Sequence, residues 1–425
     1  MDVASRYVAL ALMLDRLRPG LVDAYTGDPH VRAGVLAQPA PDPGDLLRRA
    51  AGLRAELPHA DLTPARSAYL DGQLAGLQMT ARVLDGQPVG LTDRAQAFFQ
   101  VTPTAGDPDD YARAHAALDD VLPGHGPLVQ RYAAYRHATA LPVGLLPAAV
   151  RQWSALLQDA ARNAVALPAT EHVTYRVVTG HPWAGFNYYH GLFRSTVSVN
   201  ADLPVGCGSL PALIAHESYP GHHTDRCRKQ QLMTGCPEHQ VWLVNTPENL
   251  VAEGAADLAL AGAGIAPGWG AVATDLYAGL GIAYDGDLGE AVAAAAAPLG
   301  RVRQDAALLL HDRHRPVEEA VAHLRRWGLA SPARVDKTLA FLSDPLWSAY
   351  VCTYVEGADL VRDWLAARPG DQPVTARFAR LLDEPLTPAM LRRDLSTGDG
   401  ELPGSGARRS PARWRTATLR RRSST

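Results

Sequence analysis

A proline inside a histidine-rich segment limits how this chain can fold. Residues 212–225 read ALIAHESYPGHHTD, and Pro220 lies four positions after His216. Proline has no N–H to donate to the carbonyl of His216, and its ring crowds that carbonyl, so a regular helix cannot continue through the segment. Gly221 then allows backbone angles that other residues avoid. The sequence therefore predicts a kink or loop between His216 and the pair His222 and His223.

The spacing of these side chains suggests a metal site. In the zinc motif HExxH, two histidines four apart face one ion and the glutamate activates water. Here Pro220 takes the second position. On an unbroken helix His223 would lie about 10.5 Å beyond His216, too far when both nitrogens must lie about 2 Å from one zinc ion. A kink can fold the chain back, so either His222 or His223 can be the second ligand. Glu217 would then be the glutamate that activates water.

A second helix offers a third ligand. The segment NTPENLVAEGAADLAL begins with Thr246 as a cap and Pro247 in the first turn. Glu253 follows among small apolar residues, with Asp257 on the same face one turn later. Burying a carboxylate is costly unless it is paired or binds a metal, and Gly254 would let another helix approach closely. The alternative is that Glu253 is an exposed residue of an amphipathic helix.

The rest of the chain predicts a mainly α fold. Stretches such as 107–122, 146–167, 317–329 and 333–367 carry apolar residues at intervals of three and four. One segment differs: RSTVSVNADLP, from Arg194 to Pro204, alternates valine with small polar residues as a half-buried strand does. Two interpretations stay open for it, an edge strand that pairs with an extended substrate and a structural hairpin strand.

Composition and charge narrow the classes of function. The 425 residues are 47% hydrophobic and 20% charged, which is typical of globular proteins. The net charge of the whole chain is −3, but the segment after Gly406 holds seven arginines and no acidic residue. Residues 1–406 are therefore more acidic than the whole chain. This argues against a nucleic-acid partner. We expect one domain over residues 1–395 and a disordered Gly/Arg-rich tail over 396–425.

The sequence also predicts a location. The four cysteines show no CxxC spacing, which indicates a reducing, cytoplasmic environment. The N-terminal residues read as an amphipathic helix rather than a signal peptide. No apolar run reaches the roughly 18 residues of a membrane span, so no membrane partner is expected. The oligomeric state is not predicted.

Two motifs resemble a bacterial family. HESYPGHH and EGAADLA are similar to the signature of the domain-of-unknown-function 885 family, HExxPGHH followed by an EGxA helix. RSTVSVN resembles the family's strand, from Arg194 to Asn200, and YVEGADLV its late Tyr-x-x-Gly helix with Tyr354. A segment with His311 also resembles the family, and the similarity extends to about Leu395. Ala255 departs from the pattern, where tryptophan is common.

The resemblance implies a fold and a chemistry. The family is regarded as zincin-like, so we expect a large helical zincin-like metallopeptidase fold with a short edge strand or small sheet beside the active-site helix. The implied cofactor is one zinc ion, and the implied substrate is a peptide or a peptide-like molecule. The implied general base is Glu217, and the implied oxyanion donor is Tyr354 or else Tyr350. The implied metal ligands are His216, either His222 or His223, and Glu253. The residues implied for substrate binding are Arg194, Asn200, His311 and Tyr350.

Some choices remain open at this point. Helical zinc peptidases with HExGH favour His222, because their Gly-His matches Gly221 and His222. Exopeptidases need a fixed charge, for which Arg194, Arg226 and Arg228 are candidates. The alternatives to a peptidase are a non-catalytic metal-binding protein and a helical interaction module without metal. Glu217 favours the enzyme, because a structural zinc site closes all four positions and needs no carboxylate beside its first ligand.

Overall fold

Helices dominate the structure, and two small sheets accompany them. The computed structural model describes residues 1–181, 183–344 and 347–396. Helices make up 63% of the described residues and strands 8%, so the predicted mainly α class with a small sheet is confirmed. Within the described part, no helix is both long enough and apolar enough to cross a membrane. The single domain over 1–395 stays a prediction, and the predicted tail from residue 397 onward lies outside the described residues.

The elements follow one another along the chain in an order that places three strands just before the histidine motif. The helices are α1 (Val3–Leu17), α2 (Pro29–Leu36), α3 (Pro43–Glu56), α4 (Pro64–Leu84), α5 (Leu91–Phe99), α6 (Pro108–Val121), α7 (Leu128–Ala138), α8 (Leu146–Ala164), α9 (Leu210–Glu217), α10 (His222–Leu232), α11 (Pro247–Asp257), α12 (Ala259–Gly262), α13 (Trp269–Gly279), α14 (Gly286–Ala296), α15 (Val302–His311), α16 (Val317–Trp327), α17 (Pro332–Ser343), α18 (Ala358–Ala366), α19 (Val374–Asp383) and α20 (Pro388–Ser396). The strands are β1 (Val22–Tyr25), β2 (His172–Val178), β3 (Gly185–Gly191), β4 (Arg194–Asn200) and β5 (Val241–Leu243).

The predicted helical stretches are found, with one interruption. α6, α8 and α16 lie within the stretches that the apolar periodicity indicates. The stretch 333–367 instead divides into α17, a π-helical turn over Thr353–Gly357 and α18. α17 ends where Asp344 takes an extended ψ of 127°. This residue precedes a proline, and such residues are disfavoured in the α region.

The sheet beside the motif corrects one interpretation of the sequence. The predicted strand is observed as β4, but the strand order is β2-β4-β3, so β4 lies in the centre. It pairs with β2 in parallel and with β3 antiparallel. Its hydrogen-bonding groups are thus used on both sides, and it cannot be the edge strand that pairs with a substrate. β3 lies beside the site and is a terminal strand of this sheet, so it is the strand that could pair with a substrate.

The helices that carry the motifs are buried between hydrophobic clusters. α9 contributes Ile214 and Ala215 to a cluster built around Trp153. Every residue of α11 from Pro247 to Ala256 is buried. Its Leu250 packs in the largest cluster, while Val251 and Ala255 pack in a different cluster with α18 and α19. α11 is therefore held from two sides, which fixes the position of its polar face.

A buried ion network joins α10 to α11. The Lys229 ammonium lies 2.8 Å from Asp225 Oδ1 and 2.9 Å from Glu248 Oε1, and the Tyr69 hydroxyl donates to Glu248. Burial opposes ionisation of Glu248, but the Lys229 charge and the Tyr69 hydroxyl lower the pKa of this carboxyl to about 2. One cation thus holds two helices together in the interior.

Removing the charge of Lys229 should destabilise the fold. We expect Lys229→Met to lower the free energy of unfolding by roughly 3–5 kcal/mol, because it leaves the buried carboxylate of Glu248 without its cation and Asp225 with Arg226 alone. Urea denaturation followed by circular dichroism measures this change. The matched control is Arg48→Met, which removes an exposed ion pair with Asp45 and should change stability by less than about 1 kcal/mol. Equal effects of the two substitutions would contradict the prediction.

Candidate metal centre

The chain turns sharply between α9 and α10, as Pro220 predicts. α9 ends at Glu217 and α10 begins at His222. The Gly221 N–H donates to the carbonyl oxygen of Ala215 at 2.9 Å. A Cβ atom on Gly221 would lie 2.0 Å from the carbonyl oxygen of His216, so only glycine fits at this point. The predicted kink is confirmed, and it depends on a backbone-to-backbone contact.

This turn brings three side chains of two motifs together. His216 Nε2 lies 3.5 Å from Glu253 Oε2, and His222 Nε2 lies 3.1 Å from Glu253 Oε1. The two imidazole rings are nearly perpendicular, with centroids 4.7 Å apart. One potential ligand atom from each of the three residues lies within 4.8 Å of the others. The three side chains therefore converge on one small volume.

His223 lies outside this cluster, which corrects the alternative that it is the second ligand. Its ring is completely buried, with Nδ1 2.8 Å from Ser195 Oγ and Nε2 3.1 Å from Glu171 Oε2. Neighbouring helical residues point about 100° apart, so only one of the two histidines can face the cluster. The structure brings His222 to His216 and Glu253, and it places His223 against the sheet.

The donors of the cluster fit a divalent metal. Two imidazoles and a carboxylate are a common catalytic zinc set, which leaves a position open for water. Among the described residues, Glu253 Oε2 is buried and has no hydrogen-bond partner, a costly state for a carboxylate oxygen. His216 Nδ1 lies 2.9 Å from Asp257 Oδ1, and this bond turns Nε2 toward the cluster. Carboxylates hold metal-binding histidines in this way.

The charges of the cluster reinforce one another. Burial opposes ionisation of Glu253, but His222 and His216 hold the pKa of its carboxyl well below the ordinary value. Burial also works against a charged His216, but the Asp257 and Glu253 carboxylates raise its pKa well above the usual range. The carboxylates of the cluster therefore attract positive charge. A divalent cation would satisfy the same carboxylates.

Glu217 lies beside the cluster and lines the same cavity. Only 6% of the residue is exposed, and the cavity is shared with His216, His222 and Glu253. Burial raises the pKa of the Glu217 carboxyl, against the lowering effect of the two imidazoles. The backbone carbonyl of Glu217 accepts a hydrogen bond from Asn187 Nδ2 at 2.6 Å. β3 thus fixes the end of α9, and the carboxyl group is placed where it can exchange a proton.

Two tyrosines reach the cavity from the segment after α17. The Tyr350 hydroxyl donates to Glu253 Oε1 at 2.8 Å and accepts from Asn249 Nδ2 at 2.9 Å. The Tyr354 side chain lines the cavity, and its hydroxyl has no hydrogen bond to any other described residue. Burial and the Glu253 charge raise the pKa of both hydroxyls well above the ordinary value. Both are therefore proton donors at neutral pH.

A contact between two glycines places these tyrosines over α11. A Cβ atom on Gly254 would lie 2.3 Å from the carbonyl oxygen of Gly357. The close approach that the sequence predicts at Gly254 is therefore confirmed. Gly357 closes the π-helical turn that carries Tyr354, and such turns occur often at functional sites. The backbone contact brings the tyrosines to the same face as Glu253.

The other predicted substrate residues do not line the cavity in the part of the chain that the structure describes. Arg194 is exposed at the start of β4. His311 Nε2 lies 2.9 Å from the carbonyl oxygen of Leu342. Asn200 is buried and donates to the carbonyls of His181 and Trp183 at 2.8 and 2.7 Å. Because Trp183 lines the cavity, Asn200 shapes it from behind.

Several cavity residues are missed by sequence reasoning. They come from β1, the loop before β3 and the start of β3, α11, the end of α17 and the segment after it, and they are Asp23, Trp183, Phe186, Asn187, Asn249, Phe341 and Trp347. Arg226, one of the candidate charges, also lines the cavity. Asp23 and Arg226 form an ion pair of 3.1 Å across the cavity wall. The period-2 alternation of β1 was the available signal for Asp23, since it places this residue opposite Val22 and Ala24.

Comparisons with known proteins support the fold. No family model matches the chain, and no curated protein sequence matches it. A "putative lipoprotein" from Colwellia psychrerythraea is similar in structure, with a TM-score of 0.51 and 14% identity over 83% of this chain. This chain spans 66% of the length of that protein. The likeness shows a shared fold.

Two further solved structures are similar at lower scores. One is a "putative lipoprotein of unknown function" from Shewanella oneidensis, with a TM-score of 0.47, 13% identity, and coverage of 86% of this chain and 75% of that one. The other is an M32 carboxypeptidase from Deinococcus radiodurans R1, with a TM-score of 0.39, 13% identity, and coverage of 92% and 93%. At these scores neither carries an argument about function. The resemblance to the domain-of-unknown-function 885 family remains a resemblance of motifs.

Replacing Gly221 by alanine should disrupt the turn. We expect Gly221→Ala to lower the free energy of unfolding by about 2 kcal/mol or more, because the new methyl group collides with backbone oxygens that cannot move independently. Urea denaturation measures the loss. The control is Gly52→Ala in α3, where a Cβ meets nothing within 4 Å and helix propensity should stabilise the protein by up to about 1 kcal/mol. A neutral Gly221→Ala would show that the turn adapts.

The environment of Glu171 should make stability depend on pH. Burial opposes its ionisation, but bonds from His223, Tyr219 and Gln158 lower its pKa from 4.5 to about 2. A depressed folded-state pKa stabilises the protein above the unfolded value, and this contribution is lost as pH falls from 4.5 toward 2. We expect Glu171→Gln to flatten the pH dependence of unfolding in this window, as measured by denaturation at several pH values. An unchanged slope would contradict the assignment.

Proposed function

We propose that this protein is a zinc-dependent peptidase. The observation that carries the proposal is the convergence of His216, His222 and Glu253 in one cavity with the carboxyl group of Glu217. The motifs that resemble the domain-of-unknown-function 885 family support the same chemistry. A zinc ion bound at these residues would supply a Lewis acid that lowers the pKa of water and polarises a carbonyl group.

Glu217 acts as the general base of this proposal. It faces the cavity beside the two histidines and is buried, and burial raises the pKa of its carboxyl group. A carboxylate with a raised pKa accepts a proton from water more readily than an exposed one. Glu217 then returns the proton to the amine that leaves when the peptide bond breaks. This transfer needs no other carboxyl group in the cavity.

The two tyrosines take different roles. Tyr350 is engaged by both Glu253 and Asn249, so it orients the carboxylate of the cluster. Tyr354 has a hydroxyl that is free of hydrogen bonds to the described residues and lies in the cavity. A donor of this kind stabilises the negative charge that develops on the substrate oxygen. We therefore assign the oxyanion role to Tyr354.

The substrate backbone has a natural position along β3. Gly185, Phe186 and Asn187 of this strand line the cavity, and in its sheet β3 pairs with β4 alone. An extended peptide can add to such an edge through its main-chain groups. Aromatic side chains from two segments, Trp183 with Phe186 and Phe341 with Trp347, would enclose the substrate side chains. A peptide or peptide-like molecule fits this arrangement.

The partners and the location remain predictions. The acidic body argues against nucleic acid, and the cysteine pattern favours the cytoplasm. The alternative is a location outside the cytoplasm, because the first similar structure is called a lipoprotein. Fractionation of cells that express the native gene distinguishes these locations.

Substitutions of the motif residues test the zinc peptidase. We expect Glu217→Gln to keep one zinc ion per chain and to lower peptide hydrolysis roughly a hundred- to ten-thousandfold, because it removes the general base. His222→Ala should lose the zinc ion. Zinc is measured by mass spectrometry of the purified protein, and hydrolysis is measured on a peptide library.

Two histidine controls sharpen this test. His223→Ala should keep the zinc ion with lower stability, because it removes the buried bonds to Ser195 and Glu171. His137→Ala, in an exposed position on α7, should change neither property. A native protein that binds zinc but cuts no peptide would favour the non-catalytic metal-binding alternative. A native protein without metal would exclude both the zinc peptidase and that alternative.

A further inference from the structure

We propose that Asp23 binds a positively charged ammonium group of the substrate, which makes the site selective for substrates with a cation near the reacting bond. This inference rests on the proposed function, because it names the substrate class of the same cavity. It depends on three observations: the place of Asp23 in the cavity, its open oxygen, and the balance of charge behind it.

β1 directs Asp23 toward the cavity. Val22 and Ala24 of this strand are buried in hydrophobic clusters, and alternation places Asp23 on the opposite face. Asp23 lines the cavity together with Glu217 and His222, and 15% of its side chain is exposed. Its Oδ2 accepts from Arg226 Nη2 at 3.1 Å. Among the described residues nothing donates to Oδ1, so this oxygen can accept from a ligand.

Arg226 is not free to bind a substrate carboxylate. Its Nη1 donates to Asp225 at 2.9 Å and its Nη2 to Asp23. The guanidinium also lies over the ring of Trp242, 5.2 Å from the centroid. Only 4% of Arg226 is exposed. The arginine therefore holds Asp23 in place, and its charge is already shared between two carboxylates.

The ion network that includes Asp23 has one more carboxylate than cations, which leaves a negative charge at the cavity. Two cations, Arg226 and Lys229, are shared by three carboxylates, those of Asp23, Asp225 and Glu248. Asp225 and Glu248 face Lys229 in the interior, and the member of the network that reaches the cavity is Asp23. A carboxylate of this kind gains from a second cation on its open side. An ammonium group of a ligand meets this need.

The consequence is a preference among peptides. Asp23 and the metal cluster share one cavity, so a bound ammonium group belongs to a residue near the bond that is cut. Two sources have this chemistry, the free amino terminus of a peptide and the side chain of a lysine. A free amino terminus in this position corresponds to aminopeptidase action, and a lysine side chain corresponds to a basic-residue specificity.

Binding to the zinc-loaded Glu217→Gln variant tests this subsite without turnover. The probes are the amidated tripeptides Leu-Gly-Gly, acetyl-Leu-Gly-Gly and acetyl-Lys-Gly-Gly, titrated by calorimetry. We expect the free amino terminus of Leu-Gly-Gly to improve affinity over acetyl-Leu-Gly-Gly roughly tenfold to a hundredfold, as a charge-assisted hydrogen bond does. If acetyl-Lys-Gly-Gly binds as well as Leu-Gly-Gly, a side-chain ammonium also occupies the subsite.

Variants in the same background assign the preference to Asp23. Asp23→Asn should remove the preference for charged probes while acetyl-Leu-Gly-Gly binds as before, and Asp23→Glu should retain part of it. The matched control is Asp383→Asn. Asp383 forms an ion pair with Arg228, which lies in the same helix as Arg226, and this pair lies outside the cavity. The substitution should therefore leave the preference for charged probes unchanged.

Three outcomes overturn the inference. The first is that charged probes bind no better than acetyl-Leu-Gly-Gly, or that no probe binds. The second is a preference for charged probes that survives Asp23→Asn. The third is an equal loss of affinity for all probes in the Asp23→Asn variant. The peptidase proposal fails separately: if the ammonium preference is present but the native protein cuts no peptide, the subsite stands and the proposed reaction does not.

Discussion

The contact of Gly221 with the end of α9 controls the geometry of the whole site. Because its backbone lies directly against the carbonyls of Ala215 and His216, the chain turns within four residues and starts a new helix at His222. The direction of α10 then decides which histidine faces Glu253 and which faces the sheet. Hydrogen bonds that an ordinary helix would form inside itself are formed across this turn instead.

The same turn divides the histidine pair between two tasks. His222 faces the cavity with a carboxylate at its Nε2, and His223 is fixed by Ser195 and Glu171 in the interior. Ser195, His223 and Glu171 are arranged like a hydrolytic triad, but all three are buried and no substrate can reach them. Their bonds hold the first turn of α10, so the buried set positions the residue beside it.

The sequence was most informative where backbone chemistry leaves few choices. Pro220 and Gly221 predicted the turn, and the small residue Gly254 predicted the close approach of another segment, while the burial of Glu253 was one of two interpretations that the sequence left open. The choice between His222 and His223 depended on the direction of α10 after the turn, which no local pattern gives. The aromatic walls and Asp23 come from segments far apart in the chain, and neither Arg194 nor His311 could be placed without the tertiary structure. The position of β4 in its sheet depended on β2 and β3, whose pairing is not local either.

The glycine contacts have a consequence for how this site can change. At Gly221, and between Gly254 and Gly357, backbone meets backbone and there is no side chain to exchange. Substitution of these glycines therefore cannot adjust the part of the cavity around His216, His222 and Glu253 without moving the backbone of the helices. The aromatic walls are formed by side chains, those of Trp183, Phe186, Phe341 and Trp347, which can be exchanged. We therefore expect a designed variant to change what the cavity accepts through these walls, while the cluster of His216, His222 and Glu253 keeps its geometry.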